Sequence, residues 1–149
     1  EVVEVVSNNR SSRIGARILS YITLYVEEND LGFTTGADGG YRVNGERYIP
    51  DCAYISKARQ PEPSEDAYNP LAPDLAVEVL SPNDRSGKVR IKVTNYMLAG
   101  TQLWLFDPEA SQVEVYIPGK KPYTLTATDT LVGGDVLPDF ELVLKAIFK

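Results

Sequence analysis

Apolar and polar positions along this chain follow two periods, and the change from one to the other marks its elements. Ile14, Ile18, Tyr21 and Tyr25 recur at helical spacing and form one apolar stripe. Arg10, Arg13 and Arg17 line another face of the same helix, and Ser7, Asn8 and Asn9 offer caps at its start. The pattern ends near Asn29–Gly32, where glycine can close a helix. Before it, Val2–Val6 lie in a β-prone run, EVVEVV. After it, short strands are expected at about 32–36 and 41–44 around a glycine-rich turn, with a second turn at Asn44-Gly45. Residues 47–55 (RYIPDCAYI) read as a strand in which Pro50 marks either a sheet edge or an irregularity.

The stretch 59–73 carries Pro61, Pro63, Pro70 and Pro73 among polar residues and reads as a long functional loop. In residues 74–81, Leu75, Ala76, Val77, Val79 and Leu80 leave no polar side, the mark of a strand buried on both faces. Asp84 is placed to cap a helix running to about Ala99, closed by Gly100. Residues 102–107 (QLWLFD) form another near-continuous apolar strand. Val113, Val115 and Ile117 alternate with polar neighbours, so 112–117 is expected to be half-exposed. A Pro118–Pro122 turn leads to a Thr-rich strand and a short mixed tail at 136–148. This order predicts an α/β (α+β) sandwich around a mixed sheet, one domain over residues 1–149, with no internal repeat. A strand so close to Glu1, with Met97 the only methionine, suggests a further N-terminal segment. Residues 1–30 lack the basic-then-apolar order of a signal peptide.

Composition narrows the chemistry. The 149 residues include one Cys (Cys52) and no His, with 15 Lys+Arg against 21 Asp+Glu and a net charge of −6. His-based triads, Cys–His pairs and the usual zinc sites are therefore excluded, and any metal must be a hard cation held by oxygen. A lone cysteine excludes an internal disulfide framework and suits a reducing, cytoplasmic compartment. No apolar run approaches the ~20 residues needed to span a membrane. No GxGxxG, Walker A or GxSxG sequence appears, which leaves ordinary nucleotide and α/β-hydrolase readings without support.

Three residues break local rules. Glu78 stands in the centre of LAVEVL, where a buried carboxylate costs several kcal/mol unless it is paired, protonated or on a metal. Its plain alternative is a strand-end glutamate reaching solvent or an arginine. Asp51 after Pro50 reads alone as a Pro-Asp turn. Lys92, beside Val89 and Val93 and one turn from Tyr96, reads alone as a side chain whose stem covers apolar surface. Together they suggest two strand carboxylates and a helical lysine converging at the end of a sheet. Such a set can hold Mg²⁺ or Mn²⁺ while the lysine offsets charge or orients a water.

Pro50–Asp51, EVLSP at Glu78–Pro82, KxxxY at Lys92–Tyr96 and AGTQLWLFDP at Ala99–Pro108 occur in an order that resembles the Uma-two family of restriction endonucleases. That family lies within the PD-(D/E)XK nuclease-like superfamily, and the resemblance spans nearly the whole chain. It implies an αβββαβ core with antiparallel C-terminal strands, Asp51 and Glu78 as ligands of Mg²⁺ or Mn²⁺, and hydrolysis of DNA phosphodiester bonds. The parent motif places a lysine two residues after the glutamate. Leu80 stands there, and Lys92 matches a lysine moved to the following helix. Family members also carry a histidine near the first helix, where this chain has Asn9-Arg10-Ser11, and an acidic YELxxG-like segment that would precede Glu1.

Basic residues gather locally. Arg85, Lys88, Arg90 and Lys92 lie in a helix free of acids from Arg85 to Ala99. With Arg10, Arg13 and Arg17 they could meet phosphates, or they could form one solvated face. Cys52, Trp104, Phe106, Tyr96 and Met97 read as core, and Ser81 as a turn residue. The leading function is thus a Mg²⁺-dependent endonuclease acting on DNA. The alternatives are a nuclease-derived interaction module without catalysis and a small metabolic enzyme on another fold. A homodimer is expected from the two strands such nucleases must cut, with edge pairing through 112–117 as one means.

Overall fold

The computed structural model describes residues 8–149, and the β-prone segment Val2–Val6 lies outside the described residues. Helix α1 (Asn9–Glu28) begins at Asn8, whose side chain accepts a hydrogen bond from the Ser11 N–H at 2.8 Å. Its buried row is Ile14, Ile18, Ile22 and Val26, so the stripe expected from sequence is right in its first half only. Tyr21 is exposed, and Tyr25 lies half-buried at the flank, edge-on to Phe140. A row spaced strictly by four drifts slowly around a helix, and the sheet selects the branched aliphatics because they fill a pleated surface. Each buried Ile contributes on the order of 1.5–3 kcal/mol.

Strands β1 (Gly32–Thr35), β2 (Gly40–Val43), β3 (Glu46–Tyr48), β4 (Cys52–Ser56), β5 (Tyr68–Asn69) and β6 (Leu75–Val79) follow. Helix α2 (Ser86–Leu98) leads to β7 (Gln102–Asp107), β8 (Gln112–Tyr116) and β9 (Tyr123–Thr126), then β10 (Thr130–Val132), β11 (Glu141–Val143) and the short α3 (Leu144–Ile147). One six-stranded sheet has the order β1-β4-β6-β7-β8-β9. Only β6 and β7 are parallel in it, and α2 is the crossover that parallel pairing requires. The succession α1, β1, β4, β6, α2, β7 is the expected αβββαβ core, and β8 and β9 extend it antiparallel. A second sheet, β3-β2-β5, is built from the β2–β3 hairpin and a two-residue strand of the proline-rich loop. The hairpin turns at Asn44 and Gly45, both with positive φ, the conformation a two-residue primed turn demands.

Three expectations are corrected. Residues 47–55 are not one strand: Pro50 breaks the run into β3, in the small sheet, and β4, an inner strand between β1 and β6. Strand β8 is not an edge, because β9 pairs with it, so edge pairing through 112–117 is closed off. Asp84 does not cap α2; the helix starts one residue later from Arg85, and the Asp84 carboxylate accepts the Ser81 N–H at 2.7 Å inside the connecting turn.

The six-stranded sheet separates two clusters by the period-two alternation of its strands. Leu75, Val77, Val79, Trp104, Phe106, Val113 and Val115 face α1 and the C-terminal elements. Ala53, Ala76 and Leu103 face the other way, toward α2 and the small sheet, where Tyr41, Val43 and Tyr96 cover them. Strand β6 is buried along its whole length, as its apolar run predicts.

Candidate active site

Period two also decides where the only acidic residue of β6 points. Val77 and Val79 pack on the α1 side, so Glu78 between them projects onto the α2 side, where it is 9% exposed. Strands β4 and β6 run antiparallel with Cys52 opposite Val77. One step further along the same register, Asp51 stands opposite Glu78, and both side chains share a face. The Val79 N–H donates to the Asp51 Oδ2 at 2.7 Å, so this carboxylate serves as acceptor where the β4 ladder has ended.

Helix α2 supplies the remaining parts. Lys92 Nζ lies 3.6 Å from the Glu78 Oε2 and 5.6 Å from the centre of the Tyr48 ring. The Tyr96 hydroxyl, fully buried one turn along, donates to the same Oε2 at 3.0 Å. Tyr48 is held in turn, because Asn95 Nδ2 donates to its hydroxyl at 2.7 Å and Asn44 Nδ2 donates to Asn95 Oδ1 at 3.0 Å. The β2–β3 hairpin is thereby tied to α2 above the carboxylates. Tyr96 is core, as its sequence predicts, and its hydroxyl also reaches the site; the KxxxY spacing is its only signal for that role, and nothing local marks Tyr48.

Electrostatics follow from this enclosure. Burial pushes the Glu78 carboxyl up to about 7; the Lys92 ammonium opposes this, the Asp51 charge adds to it, and the Tyr96 hydroxyl bond pulls it back. Burial likewise raises Asp51, countered by the Val79 N–H and by Lys92, with Asp84 raising it further. Asp84 is thus an acidic neighbour that sequence reading assigned only to a cap. The Cys52 thiol is pushed far up by burial beside these charges and is inert as a nucleophile.

The donor set fits a hard divalent cation. The described hydrogen bonds use Oε2 of Glu78 and Oδ2 of Asp51, which leaves one oxygen of each carboxylate without a protein donor. A cavity of about 30 Å³ lies against Glu78, bounded by Val79, Leu80, Asp84, Val89, Lys92 and Leu105. That is room on the scale of one or two waters. Among the described residues, no three His, Cys, Asp or Glu side chains form a metal cage. Two carboxylates with water completing the shell is the arrangement magnesium favours.

The basic residues divide. Arg85 and Lys88 line a cleft of about 400 Å³ together with Lys92 and Tyr48. Arg10 lines a neighbouring cleft of about 280 Å³ with Ser81, Asp84 and Asp107, and its Nη2 donates to the Pro108 carbonyl at 2.6 Å. Arg17 is turned toward the end of the chain, where its Nη1 donates to the carbonyls of Ile147 at 3.1 Å and Lys149 at 2.9 Å. Arg13 is exposed on α1 and lines neither cleft. The three arginines of α1 therefore do not act as one basic face at the carboxylates.

Comparison with known proteins agrees with this architecture. The sequence profile of the Uma2 family, described as "Putative restriction endonuclease", matches residues 1–145. A crystal structure of "a putative nuclease belonging to DUF820" from Anabaena variabilis superimposes with a TM-score of 0.86 at 20% sequence identity. The match covers 99% of this chain and 84% of that one, and it establishes a shared fold. No curated protein matches the sequence. Among the described residues, no helix is long and apolar enough to cross a membrane.

Proposed function

The chain belongs to the Uma2 family, and from that premise we propose that it is a metal-dependent endonuclease that hydrolyses DNA phosphodiester bonds at Asp51, Glu78 and Lys92. The observation that carries the reading is the convergence of these residues: one carboxylate just before β4 and one within the neighbouring β6, the latter in contact with a lysine from the crossover helix. Lys92 and Tyr96 offset part of the several kcal/mol that a carboxylate costs in this apolar strand, and a bound cation would offset the rest.

In this reading Asp51 and Glu78 would hold Mg²⁺ or Mn²⁺, which would supply neutralisation of phosphoryl charge and a more acidic water. Tyr96 and Lys92 fix Oε2 of Glu78, so the carboxylate keeps one orientation. Lys92 can extend from Glu78 toward the outer cleft and meet a phosphate oxygen, where its positive charge offsets the charge that develops during attack. Arg85 and Lys88 contact the flanking phosphates, and Arg10 borders the neighbouring cleft. A cytoplasmic location and a homodimer belong to the same reading.

The purified protein should nick or cut plasmid DNA with Mg²⁺ or Mn²⁺, and a folded Glu78→Ala variant should not. Full activity in that variant would refute the site. The net charge of −6 and Leu80 in place of the motif lysine favour a second reading, a nuclease-derived interaction module without catalysis. Calorimetric titration with Mn²⁺ separates the two: binding that disappears in Asp51→Asn supports the enzyme, and no binding supports the module.

A further inference from the structure

The cavity against Glu78 measures about 30 Å³, enough for an ion and a water but not for a phosphodiester with its two sugars. Substrate must therefore approach through a larger opening, and the cleft of about 400 Å³ on the outer side of α2 adjoins that cavity through Asp84, Val89 and Lys92. Its volume lies in the range of pockets that take one small ligand, about 300–1,000 Å³. Its lining is unusual for a surface that only tracks a duplex backbone. Arg85, Lys88 and Lys92 bring three cations against the one carboxylate of Asp84, while Tyr48 and Ile91 bring an aromatic and an aliphatic wall.

Ile91 is 62% exposed on a helix whose other outward residues are polar or charged, with Leu98 the exception two turns away. Among the described residues most of the Ile91 side chain is uncovered, and it lines the cationic cleft. Tyr48 is fixed by the Asn95 hydrogen bond, so its ring is a rigid wall rather than a mobile side chain. Cations for phosphate beside an aromatic and apolar surface for a base are the combination that binds unpaired nucleotides. Paired bases inside a duplex cannot turn their faces toward such walls.

From this juxtaposition we propose that the cleft bounded by Tyr48, Arg85, Lys88, Ile91 and Lys92 receives one unstacked nucleotide of the strand to be cut, so that the substrate is single-stranded or locally opened DNA rather than intact duplex. The inference rests on the nuclease reading of Asp51, Glu78 and Lys92 for the fate of that strand. The base lies against Ile91 and the part of the Tyr48 ring that the Lys92 ammonium, 5.6 Å from its centre, leaves uncovered, and its flanking phosphates meet Arg85 and Lys88. Lys92 spans the passage between cleft and cavity, which brings the adjoining phosphodiester beside Glu78. A flexible strand can bend into this recess. The overall charge of −6 disfavours the broad electrostatic contact that a rigid duplex would need instead.

The test is fluorescence anisotropy in EDTA, which prevents cleavage, with a short labelled oligothymidylate and a duplex of equal length. The oligothymidylate should bind about tenfold more tightly than the duplex, and Ile91→Ser should remove most of that preference while leaving duplex binding unchanged. Ile91 is exposed, so the substitution leaves the fold intact; Tyr48→Leu, checked for folding by circular dichroism, should act the same way. Equal or tighter binding of the duplex, or an Ile91→Ser loss shared by both probes, overturns the inference. Cleavage with Mn²⁺ keeps its failure separate from that of the nuclease reading. Glu78-dependent cutting of duplex with no single-strand preference sinks the inference alone. A single-strand preference lost in Ile91→Ser, with neither substrate cut, leaves the binding site standing and sinks the nuclease reading.

Discussion

The two faces of the six-stranded sheet are packed by different rules. On one, α1 lays Ile14, Ile18, Ile22 and Val26 onto Val77, Val79, Trp104 and Phe106, and the C-terminal elements complete an apolar layer. On the other, α2 places a single fully buried residue, Tyr96, over small side chains such as Ala53 and Ala76. Tyr96 packs among these alanines, and its hydroxyl and Lys92 meet Glu78. The α1 face is closed by shape, and its one polar liability among the described residues is the Trp104 Nε1–H, buried without a partner. The α2 face is held by polar contacts that depend on one another: Tyr96 and Lys92 on Glu78, Asn95 on Tyr48, Asn44 on Asn95. One face secures the fold, while the other holds charge in a poorly solvated place.

This contrast can be broken most sharply with a matched pair of substitutions. Ile18→Ala on the α1 face should lower stability by about 2–5 kcal/mol in urea unfolding, with cleavage by the remaining folded protein unchanged. Glu78→Gln on the α2 face should do the reverse, removing several kcal/mol of transition-state stabilisation, on the order of 10³-fold in rate, with no loss of stability at neutral pH. If Glu78→Gln unfolds the protein, or Ile18→Ala abolishes turnover without unfolding, the division between the faces is wrong.

Acidity offers the next test. The Glu78 carboxyl is raised from 4.5 to about 7 by burial, so the folded protein binds a proton that the unfolded chain has already released. The protonated form stabilises the fold, and that contribution is complete below about 4.5 and lost as the pH climbs through 7. The loss amounts to roughly 3 kcal/mol for the metal-free protein. Urea unfolding across that window should show stability falling with pH, and Glu78→Gln should flatten the slope. An unchanged slope in the variant would mean that another group is responsible.

The smallest effect is expected from Tyr96→Phe, which deletes only the hydroxyl on Glu78. It should cost about 1–2 kcal/mol above neutral pH, where the carboxylate is charged, and less in acid. A loss that does not vary with pH would assign Tyr96 to packing alone and bring the α2 face closer in kind to the α1 face.

Local pattern was sufficient for much of this molecule. The apolar run at 74–81 marks β6, the change of period marks α1 and α2, and QLWLFD marks β7 to the residue. Glu78 was legible because a charge in such a run contradicts its surroundings. Alternation alone then dictates that it leaves the strand on the side opposite Val77 and Val79. Sequence misjudged the elements whose limits depend on distant partners. Pro50 could have marked an edge or a break, and only the pairing of β4 between β1 and β6 decides for the break. Asp84 failed for a local reason instead: it has the chemistry of a cap, yet the Ser81 N–H three residues back donates to its carboxylate.

What the sequence determined by itself, then, is the order of the elements, the two-sided burial of β6 and the lack of any His or Cys set for metal chemistry. These are local or compositional properties, readable from period and residue type. Tertiary structure alone decided that Asp51 faces Glu78, that Tyr48 closes over Lys92, and that Arg17 serves the C-terminal carbonyls rather than the site. Each of these joins segments far apart along the chain, through strand register or the seating of a crossover helix. Such choices are settled by the packing of the whole, because no short stretch of sequence contains both partners.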